Sequence, residues 1–479
     1  MRYLLDHLEP RAPFRFFEEI SAIPRPSLHE AKIADYLEAF AASRGLWCYR
    51  DAAHNVLIKK PATVGREDES AVLLQAHTDM VTEKHSYIKH DFSTEGLTLL
   101  VRDGRLFADG TTLGADDGFG VAIMLAVLDE KEISHPPIEC LFTSAEEIGL
   151  VGAEQFDYSH ITAKNMLNLD SAEENTVIVG CCGGVRSQLV LPVIPQPIEG
   201  KGISVAIGGL CGGHSGEDIH RERLNALVLM GKLLSALREY TPFRLVRITG
   251  GEKTNAIPRE CEAVLVADDG AAAERFLPKI EALAKSYIVA HEDRELSVMV
   301  EQTPVSEAMS YADTDKIVRV LSIPNGVLHM RSVPPVMPEA SRNLANCRTH
   351  KDRVTFGISS RSAKECRLDE SREEQNTLAA EIGATVTYYN AYPGWESATD
   401  APLVGAWQEA YHTVTGGVTT PTLIHAGLET GLITNAVKGL CAIAVGCNVH
   451  DLHTPIETME LDSFARIYRT VLEFLRVLR

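Results

Sequence analysis

Two adjacent glutamates, Glu146 and Glu147, follow an apolar run at 138–142, which is typical of a short buried strand. On a strand, neighbouring side chains point to opposite faces, but just past its end they can turn into one cleft. One carboxylate could then bind a metal ion while the other accepts and donates protons. A glutamate pair in a loop is more often simply solvated, so this hypothesis depends on whether the arrangement recurs.

Histidine or carboxylate side chains also stand at four other predicted strand ends or turns. They are His77 with Asp79, Asp116, Asp170 and His453. Ligands of open α/β sheets lie outside the carboxyl ends of the strands, so these groups are expected to converge. Two histidines with several carboxylates suit zinc, and also manganese or cobalt. One carboxylate between two ions could bridge them, as in two-metal hydrolytic sites.

Each position alone also has an ordinary structural explanation. Asp79 could cap a helix, and Asp116 lies in a glycine-rich turn where aspartate is common for backbone reasons. His453 could form a surface pair with His450. The glycines at 114–120 resemble a phosphate loop only weakly, because no Gly-Lys-Ser/Thr follows them. The ordinary explanations require a separate coincidence at each of these strand ends, whereas a single metal site explains all of these residues together.

The segments that position these groups alternate apolar strands with helices. Strands are predicted at 71–75, 138–143 and 165–170, and helices at 12–45, divided by Pro24 and Pro26, and at 121–128. Asp103-Gly104 predicts a hairpin turn. From 394 the same style returns, with strands at 422–425 and 440–445 and helices at 401–413 and 463–478. This alternation predicts an α/β domain whose sheet is flanked by helices.

The intervening segment 185–393 has a different pattern. Strands are predicted at 202–207, 243–248, 262–266, 295–300, 343–348, 353–359 and 385–389, and helices at 224–237, 271–290, 313–321 and 365–382. The order of these elements predicts an α+β domain of two similar halves, of about 210 residues, inserted into the α/β domain. The predicted layout is therefore 1–184 and 394–479 for the catalytic domain and 185–393 for the insertion.

Composition excludes several classes of protein. The 479 residues are 45% apolar, which favours a folded protein with a sizeable core. With 46 basic and 66 acidic residues the net charge is −20, which argues against nucleic acid and anionic membranes as partners. We see no signal peptide and no apolar run near the ~20 residues of a membrane span. Ten cysteines without Cys-x-x-Cys spacing favour a reduced, cytoplasmic protein.

Several motifs together carry a family resemblance. They are Leu-Gln-Ala-His77-Thr-Asp79, Thr-Leu-Gly-Ala-Asp116-Asp117-Gly, Ser-Ala-Glu146-Glu147-Ile-Gly-Leu, Leu-Asn-Leu-Asp170 and His453-Thr-Pro. In this order the chain resembles the co-catalytic zinc metallopeptidases of the M20 family. Further motifs make it similar to the aminoacyl-histidine dipeptidases over nearly its whole length: Gly180-Cys-Cys-Gly-Gly, Gly212-Gly-His214-Ser-Gly, Asn255-Ala-Ile-Pro and His425-Ala-Gly-Leu-Glu429. Two departures are Thr430 in place of cysteine and Cys182 in place of alanine.

The resemblance implies a zinc-exopeptidase-like fold with a mixed sheet, an inserted lid domain and two Zn²⁺ ions, with Mn²⁺ or Co²⁺ as alternatives. His77 and Asp170 would bind one ion. Glu147 and His453 would bind the other, and Asp116 would bridge the two.

Two further residues receive catalytic roles from the resemblance. Asp79 would orient the metal-binding His77 from behind, as such histidines usually require. Glu146 would be the general base, taking a proton from a metal-bridging water and later delivering it to the leaving amine. The resemblance also implies a cis peptide bond between Asp116 and Asp117.

Substrate contacts are expected from the inserted domain and from one residue beyond it. His214 would donate to the oxyanion of the tetrahedral intermediate. Arg361, placed just after the predicted strand 353–359, would pair with the substrate's terminal carboxylate, which suits a guanidinium fork. Asn255 and His425 are weaker candidates for substrate contacts.

The implied function is hydrolysis of Xaa-His dipeptides such as carnosine-like substrates. An alternative is another amidohydrolase of the same family, acting on N-acyl amino acids or tripeptides. A more distant alternative is a metal-binding homologue without catalysis, against which the intact Glu146 argues. Small peptides are the expected partners. A homodimer is compatible with the sequence, but because the insertion reads as two similar halves, one chain is expected to complete the active site.

Overall fold

The structure of the chain is a computed structural model that describes residues 3–332 and 336–478. Its α-helices are α1 (Arg11–Ser21), α2 (Ala31–Arg44), α3 (Ala115–Asp129), α4 (Val151–Gln155), α5 (Ala226–Arg238), α6 (Gly270–Lys285), α7 (Tyr311–Leu321), α8 (Glu365–Ile382), α9 (Pro402–Thr415), α10 (Glu429–Ala436) and α11 (Leu461–Val477).

The strands up to the middle of the chain are β1 (Trp47–Arg50), β2 (Val56–Lys60), β3 (Val72–His77), β4 (Leu99–Arg102), β5 (Arg105–Ala108), β6 (Ile138–Thr143), β7 (Asn165–Asn168), β8 (Thr176–Cys181), β9 (Gly183–Pro192), β10 (Gln196–Gly208), β11 (Gly213–His214) and β12 (Phe243–Gly250). The remaining strands are β13 (Ala256–Ile257), β14 (Cys261–Ala267), β15 (Ser297–Ala308), β16 (Gly326–Met330), β17 (Pro338–Thr349), β18 (Arg353–Ser362), β19 (Thr385–Tyr392), β20 (Trp395–Glu396), β21 (Thr420–Ile424), β22 (Cys441–Ala444), β23 (Val449–His450) and β24 (Thr458–Glu460).

The chain forms two compact units. The first unit comprises the segment up to Cys181, Trp395–Leu423 and the segment from Leu428 onward. The second unit comprises Cys182–Gly394 and Ile424–Gly427. The predicted insertion 185–393 did not include the short segment 424–427, which is separated from the rest of the second unit in sequence.

A mixed sheet forms the centre of the first unit, as predicted. Its strand order is β1-β2-β6-β3-β7-β22-β8-β20, with β21 beside β8. β3 pairs in parallel with β6 and β7, and β22 is parallel to β7, whereas β1, β2 and β6 pair antiparallel. Every residue of β3 and β6 is buried, as expected for central strands covered on both faces. The predicted hairpin at Asp103-Gly104 is present as β4 and β5.

Helices cover this sheet and fix its edges. α3 is buried along most of its length and contacts both α1 and β3. Phe14 and Phe17 of α1 meet Phe464 of α11 edge to face, with ring centroids 5.3 and 6.1 Å apart. Because β3, β6 and β7 are parallel, their carboxyl ends lie at one edge of the sheet, where His77, Thr143 and Asn168 are the last strand residues.

The second unit contains one sheet built from two similar halves. Its strand order is β15-β10-β14-β12-β17-β18-β9-β19, with β16 beside β17. The first half runs β10-α5-β12-β14-α6-β15, and the second runs β9-α7-β17-β18-α8-β19, with the first half inserted after β9. If the strands of each half are numbered along the chain, both halves have the spatial order 4-1-3-2. The halves join through antiparallel pairing of their second strands, β12 and β17.

Among the described helices, none combines the length and the apolar character that crossing a membrane would require.

Candidate metal centre

The acids and histidines predicted as metal ligands lie together in the first unit. Ligand atoms of His77, Asp116 and Asp170 all lie within 4.8 Å of one another, and so do those of Asp116, Glu147 and His453. Asp116 therefore belongs to both sets. A third set of this kind joins His77, Glu146 and Glu147.

The two carboxylate oxygens of Asp116 face different histidines. Oδ1 lies 3.0 Å from Nε2 of His77, and Oδ2 lies 3.2 Å from Nε2 of His453. The same His453 nitrogen is 3.2 Å from Oε1 of Glu147. This is the geometry in which one carboxylate could serve two ions at once.

Asp79 holds both the histidine and the glutamate pair in place. Nδ1 of His77 is 3.1 Å from the Asp79 carbonyl oxygen and 3.4 Å from its Oδ1. The Asp79 carboxylate also accepts hydrogen bonds from the backbone N–H groups of Glu146 at 3.0 Å and Glu147 at 3.2 Å, and from the Ser27 hydroxyl at 2.7 Å. Burial raises the pKa of Asp79, but the hydrogen bond and charge of His77, together with hydrogen bonds from Ser27 and the backbone of Glu146, outweigh it and lower that pKa below its ordinary value.

The start of α3 presents Asp116 to the cluster. The helix begins at Ala115, earlier than the predicted 121, and Asp116 and Asp117 have non-helical backbone angles inside it. The peptide bond between them is cis, as the resemblance implied. Asp117 is buried and accepts a hydrogen bond from the backbone N–H of His77 at 3.2 Å. This hydrogen bond connects the first turn of α3 directly to the last residue of β3.

Glu457 fixes this turn and was not predicted from the sequence. Its buried carboxylate accepts hydrogen bonds from the backbone N–H groups of Leu113 at 2.8 Å, Gly114 at 3.0 Å, Ala115 at 2.8 Å and Asp116 at 3.4 Å. Burial raises the pKa of Glu457 to about 7, although these backbone hydrogen bonds oppose the increase. The only signal in the sequence was an acid four residues after His453.

Arg25 supports the same turn from another direction. Its side chain is buried, and it donates to the carbonyl oxygens of Thr78 at 3.0 Å, Asp79 at 3.2 Å and Gly114 at 2.5 Å. A buried arginine is costly unless its donors are satisfied. The sequence placed Arg25 between two prolines, where a linker was expected, and gave no sign of this role.

A buried polar layer links the three parallel strands at or near their carboxyl ends. Gln75 and Thr143 both donate to Oε2 of Glu429, at 2.5 and 2.6 Å, and Asn168 donates to Oε1 of Gln75 at 2.7 Å. Asn168 also accepts a hydrogen bond from the backbone N–H of Asp170 at 3.2 Å. The layer fixes the relative positions of the strand ends that deliver the cluster.

Carboxylate charge dominates the cluster. Burial raises the pKa of Glu146 and of Glu147 above the ordinary value, and it raises that of Asp170 to about 8, with the charge of Asp116 adding to the effect. Oε1 of Glu147 is buried, and its contact at 3.2 Å with Nε2 of His453 is not aligned as a hydrogen bond. These are the properties of carboxylates that a cation would stabilise.

The histidines respond to the same charges. Burial lowers the pKa of His77 and of His453, but hydrogen bonds and charges of the surrounding carboxylates together outweigh it. Asp116 acts on both histidines, Asp79 on His77 and Glu147 on His453. The pKa of His453 rises to about 11, and that of His77 rises well above its ordinary value. The cluster around Asp116 combines carboxylate oxygens and imidazole nitrogens as possible metal ligands, so it fits zinc and similar divalent ions.

The four predicted substrate contacts lie in the second unit. Arg361 is within β18, which runs to Ser362, and so does not follow the strand as predicted. Its Nη2 is 3.5 Å from Nε2 of His214, and its Nη1 donates to the Tyr392 hydroxyl at 3.0 Å.

Contacts within its own loop determine the tautomer and the orientation of the His214 ring. Its Nδ1 accepts a hydrogen bond from the backbone N–H of Glu217 at 3.2 Å, so in the neutral ring the proton is on Nε2. The backbone N–H of His214 donates to Asp218 at 2.8 Å. The ring is therefore held with its donor nitrogen pointing away from its own loop.

The two weaker candidates differ in their surroundings. Asn255 is exposed, and its backbone carbonyl oxygen accepts a hydrogen bond from the backbone N–H of Ser215 at 2.8 Å. His425 is buried, with Nε2 at 2.7 Å from the Ser341 hydroxyl. Burial, reinforced by the charge of Arg361, lowers the pKa of His425 to about 3.

Comparison with known proteins adds to this geometry. The profile of Peptidase family M20/M25/M40 matches residues 73–477. The chain is 31% identical to the cytosol non-specific dipeptidase of Escherichia coli (strain K12) over 478 residues, covering 98% of each protein. The crystal structure of aminoacylhistidine dipeptidase from Vibrio alginolyticus superposes with a TM-score of 0.84 at 31% identity, covering 99% of this chain and 98% of that one.

A more distant structure shares the fold alone. Aminopeptidase PepT from Bacillus cereus has a TM-score of 0.57 at 19% identity, with 97% of each chain covered. The full-length matches and the cluster around Asp116 agree: this chain belongs to peptidase family M20/M25/M40.

Proposed function

We propose that this M20 peptidase is a two-metal dipeptidase that hydrolyses Xaa-His dipeptides, including carnosine-like ones. The observation that carries the proposal is the membership of Asp116 in two ligand sets, one with His77 and Asp170 and one with Glu147 and His453. The names of the two relatives at 31% identity, a non-specific dipeptidase and an aminoacylhistidine dipeptidase, support the substrate class.

Two Zn²⁺ ions are the proposed cofactors, with Mn²⁺ or Co²⁺ as alternatives. The residues fit such ions because the set combines imidazole nitrogens with several partly buried carboxylates, and the buried Oε1 of Glu147 has no well-aligned hydrogen bond among the described residues. When bound, the ions would polarise the scissile carbonyl and lower the pKa of water towards about 7.

Glu146 is the proposed general base. It is absent from both sets that contain Asp116, yet its backbone is fixed by Asp79, which also contacts His77. In the proposed reaction Glu146 accepts a proton from the attacking water and passes it to the nitrogen of the leaving amine. Its carboxylate is thus restored at the end of each cycle, and Glu146 remains chemically unchanged.

His214 and Arg361 are the proposed contacts to the substrate's developing oxyanion and to its terminal carboxylate. For His214 the support is the Nε2 proton, which the hydrogen bond from Glu217 to Nδ1 leaves as a donor. For Arg361 it is the guanidinium fork, which matches a carboxylate with two parallel N–H groups. Asn255 and His425 stay candidates for weaker contacts, and the burial of His425 favours an indirect role through Ser341.

We also propose the cytoplasm as the compartment. None of the ten cysteines, all of which lie within the described residues, forms a disulfide, as expected where thiols stay reduced. The E. coli relative is named as a cytosolic enzyme.

A panel of four substrates tests the proposed activity. Purified protein with added Zn²⁺ or Mn²⁺ is assayed on β-alanyl-histidine, alanyl-histidine, N-acetyl-histidine and alanyl-histidyl-alanine. We expect both dipeptides to be cleaved. The tripeptide should have a kcat/KM about 100-fold lower, because its carboxylate is one residue further from the first peptide bond and the bond would be misplaced.

The other outcomes identify the alternatives. Preferential cleavage of N-acetyl-histidine would replace the dipeptidase proposal with an N-acyl amino acid hydrolase, and preferential cleavage of the tripeptide would replace it with a tripeptidase. Protein that holds its metal and cleaves none of the four would be a metal-binding homologue.

A further inference from the structure

Three residues form one row across neighbouring strands of the second unit. Arg361 of β18 pairs with Gly184 of β9, and Gly184 pairs on its other side with Tyr392 of β19. Despite the strand between them, Nη1 of Arg361 and the Tyr392 hydroxyl are 3.0 Å apart. The phenol ring therefore extends over the middle strand to reach the guanidinium.

Two glycines make room for this ring. A Cβ atom on Gly184 would lie 2.6 Å from the Tyr392 hydroxyl oxygen, and one on Gly427 would lie 2.4 Å from the ring carbon Cε2. Real Cβ atoms do not approach other atoms so closely. Neither glycine has a positive φ, so what excludes a larger residue is the ring and not the backbone conformation. The Gly180-Cys-Cys-Gly-Gly and His425-Ala-Gly motifs thus each supply one side of the space that holds Tyr392.

The hydrogen bond between Nη1 of Arg361 and Tyr392 leaves the edge of the guanidinium formed by Nε and Nη2 for a ligand. Arg361 is only 7% exposed, and its Nε is buried without a hydrogen-bond partner among the described residues. Nη2 has a long contact, 3.5 Å, with Nε2 of His214, and the guanidinium also contacts the buried thiol of Cys182. Nε and Nη2 carry the two parallel N–H groups of the fork, which can bind both oxygens of one carboxylate. Because Tyr392 holds Nη1, Nε and Nη2 are left to bind a carboxylate.

We propose that Tyr392 is a positioning residue for Arg361: seated between Gly184 and Gly427, it holds Nη1 so that Nε and Nη2 face the carboxylate of the substrate. The inference rests on the proposed function, because it takes Arg361 as the partner of that carboxylate. It adds a residue that no motif had indicated and gives the two glycine motifs a common purpose.

Tyr392→Phe tests the inference, since it removes the hydroxyl and keeps the ring. We expect KM for alanyl-histidine to rise about tenfold, as for loss of a hydrogen bond to a charged group, with kcat changed less than about twofold. For alanyl-histidinamide, which lacks the carboxylate, the substitution should change kcat/KM by less than about twofold. The readout is the ratio of kcat/KM for the acid to that for the amide, which general destabilisation would not lower.

Two further variants provide a control and a second test of the position of the Tyr392 ring. Tyr389→Phe is the matched control, because Tyr389 is on the same strand and 40% exposed, and its acid-to-amide ratio should equal that of the wild type. Gly427→Ala should lower the ratio as Tyr392→Phe does, since its Cβ would displace the ring.

Arg361→Ala separates this inference from the function on which it rests. In that background, Tyr392→Phe should have no further effect on the ratio. If Arg361→Ala itself leaves the ratio unchanged, the proposed role of Arg361 is wrong, and the positioning role is wrong with it. If Arg361→Ala lowers the ratio and Tyr392→Phe does not, only the positioning role is overturned.

Discussion

Glu146→Gln is expected to lower kcat for dipeptide hydrolysis by about 10²- to 10⁴-fold, which is the usual contribution of a general base. Metal content should stay at the wild-type value, because Glu146 is in neither ligand set that contains Asp116. The amide has nearly the same shape, and the hydrogen bond that fixes this residue comes from its backbone, so the turn should keep its conformation. Steady-state kinetics and mass-spectrometric metal analysis of the same preparation measure both quantities.

Glu147→Gln is the control for the neighbouring residue. Its carboxylate contacts His453, and we expect this variant to lose metal as well as activity. If instead Glu146→Gln loses metal while Glu147→Gln retains it, the two roles have been assigned the wrong way round.

Asp116→Ala is expected to lose both ions, since Asp116 is the member common to both sets. His453→Ala removes a ligand from one set only and should keep the ion held by His77 and Asp170. The metal-to-protein ratio should therefore fall from two to near zero in the first variant and to near one in the second. Activity should fall below detection in Asp116→Ala.

Thermal unfolding distinguishes lost metal binding from lost folding. A metal ion that binds only the folded protein and is present at 100 times its Kd stabilises that protein by about 2.7 kcal/mol. Added metal should therefore raise the Tm of the wild type. Asp116→Ala should fold without metal, because it removes a partly buried negative charge from a cluster rich in carboxylates, and its Tm should not respond to metal. Asp109→Ala, at an exposed aspartate, should respond as the wild type does. A metal-dependent Tm in Asp116→Ala would show that Asp116 is not the shared ligand.

The sequence revealed the parts of the site that lie at strand ends. Apolar runs that stop at His77, before Glu146 and near Asp170 indicated both the strands and the edge at which they end. Parallel pairing of β3 with β6 and β7 then brings those ends together, so local pattern was enough. The α/β sheet flanked by helices was predicted from the same pattern, whereas its mixed strand directions were implied by the family resemblance.

Contacts between distant segments could not be predicted in this way. Glu457 reaches Leu113 from 344 positions along the chain, and Glu429 reaches Gln75 from 354. Neither glutamate interrupts a periodic apolar pattern, and a buried hydrogen-bonding acid looks like a solvated one in sequence. The position of Arg361 inside β18 was missed because the polar residues at 359–362 were taken for the end of the strand.

Backbone detail was also beyond pattern alone. The helix α3 begins at Ala115 with two non-helical aspartates inside it, where glycines and acids predicted a turn. The segment 424–427 returns to the second unit, and no change of composition marks it. Tyr392 was indistinguishable from its neighbours in a strand rich in tyrosine, because its role depends on glycines on two other segments.

Removal and return of metal test whether hydrolysis depends on two metal ions. The protein is stripped with a chelator, its residual metal is measured, and hydrolysis of β-alanyl-histidine is followed while Zn²⁺ or Mn²⁺ is titrated back. We expect no hydrolysis by the stripped protein and full activity after two equivalents per chain. Hydrolysis that persists without metal, or metal-loaded protein that leaves the dipeptide intact, would contradict this expectation.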